Sequence, residues 1–542
     1  MGSTSSARVA FAALTLLSLA ASSAEAPWRS ALASTSMTAE QRKLLQTAYE
    51  TKKGLLWFQS DRPTVQARAL GEALSHSDEK GLDPSDYGMP ALGAKFADPA
   101  SKNPDEQAGL DIALSRAALQ LLRDLGRGRI DPREVNWQLG AEAPKPPLAE
   151  QLAGLSSASD VPSFIEGVET PFAIYKRTSL ALHNYLGLAA RGEGVALPPW
   201  KKTIEPGQSA EGLDALAARL TLIGDLAPGA SAFASYDGAL VAAVKHYQER
   251  HGFKADGRID KHTYEAIAVP FAVRAQQLGL ALERMRWLPR DLAPPLIIVN
   301  IPEFKVHALA PGGAPALTMR VVVGKAFHHK TPVFMTEVTA IQFHPYWNVP
   351  KNIAEHELMP KYIARHHIGA GFELVDGRGH ALAGAITSEV ERDVASGAYR
   401  LRQLPGSENA LGPLKLEMPD RFEVYLHGTP TPEKFEHTRR DFSHGCIRVE
   451  DPAALATWAL SSTPGWSEDR VRAAVAEPVA VRAALEKPIK VLILYSTSVV
   501  TDDGLVSFFD DVYGNDALLT KALAKRRELL RVKGMLASRS SK

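Results

Sequence analysis

Cysteine is almost missing: the 542-residue chain has one, Cys446. No internal disulfide is possible, and a lone thiol in an exported chain must either work or hide. An excess of one charge is missing too. Lys and Arg number 62 against 61 Asp and Glu, so the basic footprint of a nucleic-acid binder is absent. The densest basic stretch, Lys521 to Lys533, alternates with Leu and Ala as a helix face does. Past the N-terminus no apolar run approaches the ~20 residues of a membrane span. What is present, 45% apolar and 23% charged residues, is ordinary for soluble domains, and the length suits about three or four of them. The N-terminus carries an address. Arg8 precedes the apolar run Val9 to Ala21 and the small-x-small site Ala24-Glu25-Ala26. Residues 1–26 therefore read as a secretory signal, with an uncleaved anchor as the alternative.

From 38 to 206 the pattern is helical. Leu44, Leu45, Tyr49, Leu55 and Leu56 recur at helical spacing, and Gly81, Pro84 and Gly88-Met89-Pro90 punctuate them. This reads as an α-helical scaffold. Residues 207–269 form a smaller unit. Leu213, Leu216, Leu220 and Leu222 make one stripe, Leu240, Ala243, Val244 and Tyr247 a second, and Thr263 begins a third helix beyond the Asp256-Gly257 turn. The set Tyr247-Gln248, Gly252, Asp256-Gly257 and Thr263 resembles a three-helix peptidoglycan-binding domain, against the plainer reading of a helical spacer.

Residues 292–475 turn to β. Pro295 to Pro302 and Met319 to Gly324 are β-branched runs, and Arg421 to His427 alternates, with Phe422, Val424 and Leu426 on one face and Tyr425 and His427 on the other. Within this block 351–400 is less regular and reads as an inserted lid. In 476–535 a strand from Ile489 to Ser496 and a helix from Asn515 to Val532 are expected to pack on the scaffold or the β domain.

The chemistry gathers in Tyr425-Leu426-His427-Gly428-Thr429-Pro430 and Arg440-Asp441-Phe442-Ser443-His444-Gly445-Cys446-Ile447-Arg448-Val449. A cysteine attacks as thiolate, and a free pKa of about 8.5 leaves little of it at neutral pH. A nearby imidazole can take the proton. Fifteen residues between His427 and Ser443 are enough for a loop that brings the chain back. Gly445 allows close backbone approach, and the Gly445 and Cys446 amides are natural oxyanion donors. One Cys and two His could also hold a metal, but there is no second Cys, no His-Glu-x-x-His and no carboxylate at ligand spacing. No metal and no cofactor is expected. His328, His329, His356, His366 and His367 show no metal spacing and read as surface or lid.

His427, the fifteen-residue gap and Ser443-His444-Gly445-Cys446 resemble the motif of the L,D-transpeptidases, which implies a β-rich catalytic sandwich. Tyr346-Trp347-Asn348-Val349-Pro350, Arg402-Gln403-Leu404-Pro405-Gly406, Asn409-Ala410-Leu411-Gly412 and the stretch from Trp57 to Tyr87 are similar to the large Gram-negative branch of that family. The expected fold is therefore α+β and multidomain: a β-rich L,D-transpeptidase catalytic sandwich with a lid insertion, an α-helical scaffold and the three-helix peptidoglycan-binding domain. The resemblance implies Cys446 as nucleophile and His427 as base, oriented by the Gly428 carbonyl. It implies His444 as support for the oxyanion region with Ser443 and Gly445, and Arg448 as loop-ordering or carboxylate-binding. Tyr425 and Trp347 are expected as substrate walls. One position departs: the residue after His427 is often Asp in this branch and is Gly428 here.

The implied reaction is ping-pong acyl transfer on peptidoglycan stem peptides in the periplasm, with a diaminopimelate amine as acceptor, 3→3 cross-links as product and inhibition by carbapenems. Water or an outer-membrane protein amine are alternative acceptors, and a non-catalytic wall-binding scaffold is the non-enzymatic reading. Cell-wall synthases and outer-membrane proteins are the candidate partners, and the oligomeric state is open.

Overall fold

The computed structural model describes residues 26–97, 103–139, 147–192, 196–229, 233–382 and 387–532. The export signal read over 1–26 lies, but for Ala26, outside them. Among the described residues no helix is long and apolar enough to cross a membrane.

The scaffold is built around the helix Pro104–Arg127, which Pro104 and the Asn103 side chain start. Ile112, Leu119 and Leu122 pack with Leu45, Tyr49, Trp57 and Leu70. Asp111 is buried in this core. It accepts from the Tyr49 hydroxyl at 2.6 Å and the Trp57 amide at 2.7 Å, and burial pushes its carboxyl up to about 6.

In the small unit, Leu213–Leu222, Gly238–Arg250 and Lys261–Ala268 are helices around one core. Gln248 explains the spaced motif. Its amide nitrogen donates to the Arg258 carbonyl at 2.8 Å and to the Thr263 hydroxyl at 3.2 Å, and its amide oxygen accepts the Gly257 N–H at 2.8 Å. Gly257 takes φ +76°, where a side chain would be strained. Two expectations shift. Leu222 is exposed, because two residues past Leu220 it lies on the far side of the helix from Leu213, Leu216 and Leu220. The third helix starts at Lys261, since the Asp260 side chain accepts the Thr263 N–H and caps it.

The β block closes on itself. Label the strands β1 Leu296–Asn300, β2 Lys305–Leu309, β3 Pro315–Gly324, β4 Val333–Phe343, β5 Leu414–Glu417, β6 Leu426–His427, β7 Asp441–Ser443, β8 Ile447–Val449 and β9 Val481–Leu494. Their order is β5-β6-β8-β3-β2-β1-β9-β4, and β4 pairs again with β5. Val299, Val306, Val321, Ile341, Leu426, Ile447 and Ile493 are among the residues of its core.

Three sequence expectations change here. β9, from the segment expected to pack against the domain, lies between β1 and β4 inside its sheet, so the block does not end at 475. The strand expected over Arg421 to His427 is only Leu426–His427. Asp420 accepts the Phe422 and Val424 amides, and Glu423 sits at φ +56°, so the chain turns there instead of pairing. The insertion is more ordered than its composition suggests. Trp347–Asn348, Tyr399–Gln403 and Phe372–Asp376 form their own sheet. They share a core of Val349, Met359, Tyr362, Leu374 and Leu401.

The last helix, Asn515–Val532, lies back on the scaffold: Arg526 donates to Asp124 at 2.6 Å and Arg527 to Asp86 at 2.9 Å.

Candidate active site

Local pairing brings the separated motif residues together. β6 runs parallel to β8, with Leu426 opposite Ile447 and His427 opposite Arg448. Cys446 is the residue just before β8, so the thiol precedes the Leu426–Ile447 pair and His427 follows it at the end of β6. The turn that precedes Cys446 is tied down. The Ser443 hydroxyl donates to the Cys446 carbonyl at 2.6 Å and accepts the Gly445 N–H at 3.1 Å. Thr331 donates to the Gly445 carbonyl at 2.7 Å, and the Tyr513 hydroxyl donates to the Gly324 carbonyl at 2.5 Å. Gly445 has φ +120°, which requires glycine. One expectation changes: the Gly445 N–H is taken up inside the turn by Ser443. The Cys446 N–H makes no hydrogen bond among the described residues.

The thiol is half-buried and donates to the Glu423 carbonyl at 3.6 Å. Burial pushes its pKa up, and hydrogen bonding with Tyr425 offsets part of that. The Tyr425 hydroxyl is in turn raised by burial and by Cys446, while a hydrogen bond with Trp347 pulls it down. Tyr425 also meets the His427 ring edge-on at 5.7 Å, and the Lys415 ammonium lies 5.3 Å from its ring centre. Of the two expected walls, Tyr425 bonds with the thiol directly and Trp347 is held against Tyr425.

His427 is buried and its Nδ1 has no hydrogen-bond partner among the described residues. Burial, then the charge of Arg448, lowers its pKa to about 3, although the Gly428 and Leu411 carbonyls pull upward. At neutral pH the pair is thus thiol and neutral imidazole. Arg448 donates to the Thr431 hydroxyl at 3.3 Å, and its Nε is buried without a partner. Gly428 is sterically required: a Cβ there would lie 2.9 Å from Pro413 Cδ and 3.2 Å from the Leu411 carbonyl oxygen.

His444 faces the insertion. Its Nε2 lies 2.7 Å from Glu357 Oε1, and its ring is 4.7 Å from that of His329. Glu357 and His329 were not singled out by sequence as site residues, nor were Lys415, Thr331 and Tyr513. No spacing signal marks them, since each reaches the site from a distant strand or loop. His328, His356, His366 and His367 are exposed.

With this geometry in view, the chain can be set beside known proteins. Residues 294–479 match the family described as L,D-transpeptidase catalytic domain. This part of the chain is an L,D-transpeptidase catalytic domain. Upstream of it, residues 209–267 match "Putative peptidoglycan binding domain" and residues 43–182 match "Scaffold domain". A Haemophilus influenzae protein named "Putative L,D-transpeptidase" is 30% identical over 253 residues, which are 46% of this chain and 49% of that relative. The match thus spans about half the length of the relative. Two solved L,D-transpeptidase structures are also similar. One, from Xylanimonas cellulosilytica, has 14% identity and a TM-score of 0.17, covering 55% of this chain and 100% of the other. The second, from Stackebrandtia nassauensis, has 13% identity and a TM-score of 0.21, covering 54% and 94%.

Proposed function

We propose that the protein is a periplasmic L,D-transpeptidase that cross-links peptidoglycan through Cys446. What carries the reading is the lone thiol of the transpeptidase domain, hydrogen-bonded with Tyr425 and facing the charge of Arg448, whose strand pairs with that of His427. Its two recognised domains, one catalytic and one peptidoglycan-binding, concern a polymer outside the cytoplasm.

In this reading His427 takes the thiol proton as the stem peptide enters. The thiolate attacks the carbonyl that joins the third and fourth residues of a tetrapeptide stem. The Cys446 N–H stabilises the oxyanion, and the terminal D-alanine leaves as the amine after His427 returns the proton. The thioester keeps the energy of the broken amide, so no nucleotide is needed. A diaminopimelate side-chain amine then attacks, gives up its proton and releases Cys446, leaving a 3→3 cross-link. Arg448 meets a stem carboxylate with its unpartnered Nε, and Tyr425 and Trp347 line the stem. Ser443, Gly445 and His444 hold the nucleophile turn.

Purified wall fragments carrying tetrapeptide stems, incubated with the protein and read by mass spectrometry, should yield dimers lacking one D-alanine, and Cys446→Ala should yield none. Tripeptide monomers alone would mean that water is the acceptor. Dimers formed equally by Cys446→Ala would end the proposal.

A further inference from the structure

The geometry points to a second site: we propose that His329, Glu357 and His444 bind a divalent transition-metal ion, zinc by chemical class, which fastens the insertion to the nucleophile turn. The three residues come from separate pieces of chain. His329 lies in the loop between β3 and β4, Glu357 in the wide turn Ala354–Leu358 of the insertion, and His444 two residues before Cys446. One ligand atom from each lies within 4.8 Å of the others, and all three side chains are half-buried. A tetrahedral zinc ion with bonds of about 2.0–2.2 Å holds its ligands roughly 3.4 Å apart, so only a small adjustment separates the present arrangement from a coordinating one.

The donor set selects the ion. Two imidazoles and one carboxylate suit zinc and its neighbours. Calcium and magnesium prefer oxygen ligands throughout. Three protein ligands also leave a fourth position for water. The two histidines are presented on a firm base. Thr331 ties the His329 loop to the Gly445 carbonyl at 2.7 Å. Gly324 lets that loop fold back closely, since a Cβ there would fall 1.9 Å from the His329 carbonyl oxygen. Glu357 is the movable partner, because it belongs to a unit with its own core and sheet. The His444–Glu357 hydrogen bond at 2.7 Å already joins the two bodies. Metal binding would replace the shared proton with the ion and release it to solvent. This site does not depend on the proposed reaction.

The test uses the full chain carrying Cys446→Ala, so that the thiol cannot bind metal, stripped with a chelator and titrated calorimetrically with zinc chloride alone. We expect one equivalent to bind, with affinity at least tenfold weaker when Glu357→Gln or His329→Ala is added. Absence of saturable binding, or equal affinity in all three proteins, would overturn the site. Glu357→Gln keeps the side-chain shape at a half-exposed position, and hydrogen exchange gives an independent readout. Zinc should slow exchange over 351–365 in the protein with intact ligands and leave it unchanged in Glu357→Gln. Bound zinc with no slowing in the intact protein would place the ion elsewhere and refute the latch.

Discussion

Two buried clusters of polar groups are built on opposite terms. At the seam between the scaffold and the helix Phe271–Met285 that leads into the catalytic domain, Glu283 accepts from Arg129 Nε at 2.9 Å and Arg286 Nη1 at 3.3 Å, and Arg286 donates on to the Tyr175 hydroxyl at 2.9 Å. Burial would raise the Glu283 carboxyl, but the two arginines outweigh it and hold it below its usual value. Around Cys446, by contrast, His427 Nδ1 and Arg448 Nε are buried without partners. Burial drives both the thiol and the imidazole toward their neutral forms. A buried polar atom without a partner costs free energy. The seam meets that cost within the chain. At the site that cost is left unmet among the described residues.

The contrast can be broken from either side. Removing the base should have the largest effect: His427→Asn should slow acylation of Cys446 by roughly 10²–10⁴-fold, measured by stopped-flow, with little change in the unfolding midpoint. Glu283→Gln should do the reverse. It strands Arg129 and Arg286 in a buried seam and should cost about 3–5 kcal/mol in urea unfolding, while the thiol of the folded protein reacts as before. A Glu283→Gln variant that loses reactivity but not stability would collapse the distinction. The smallest effect sharpens it. Because the Cys446 thiol is raised and His427 sits near about 3, no thiolate–imidazolium pair exists at neutral pH in the free protein. Thiolate should therefore form only as pH climbs toward and past the ordinary thiol range. Alkylation by iodoacetamide should rise steadily from pH 6 to 9, and a plateau below pH 7 would reveal a preformed ion pair.

Sequence was most informative where chemistry is local. Cys446, His427 and His444 announce themselves by residue type and spacing, and the Gln248 motif does so because one side chain clasps residues only ten and fifteen positions away. Contacts made across the fold left no such trace. β9 enters the sheet beside β1 nearly two hundred residues upstream, and nothing in its own pattern names that partner. Arg421 to Val424 alternates like a strand, yet Asp420 captures its amides and bends it away. The departure at Gly428 has a steric reason, visible only once Pro413 and Leu411 are packed against it. Glu357 and His329 stayed hidden for the same reason: their meeting with His444 is tertiary.

The claim that Cys446 is an acylatable nucleophile is tested most directly by intact-protein mass spectrometry after incubation with a carbapenem, with Cys446→Ala in parallel. The account predicts a stable single-adduct mass in the wild-type chain and none in the variant. A folded wild-type protein that takes up no adduct, or a variant that takes up the same one, would contradict it.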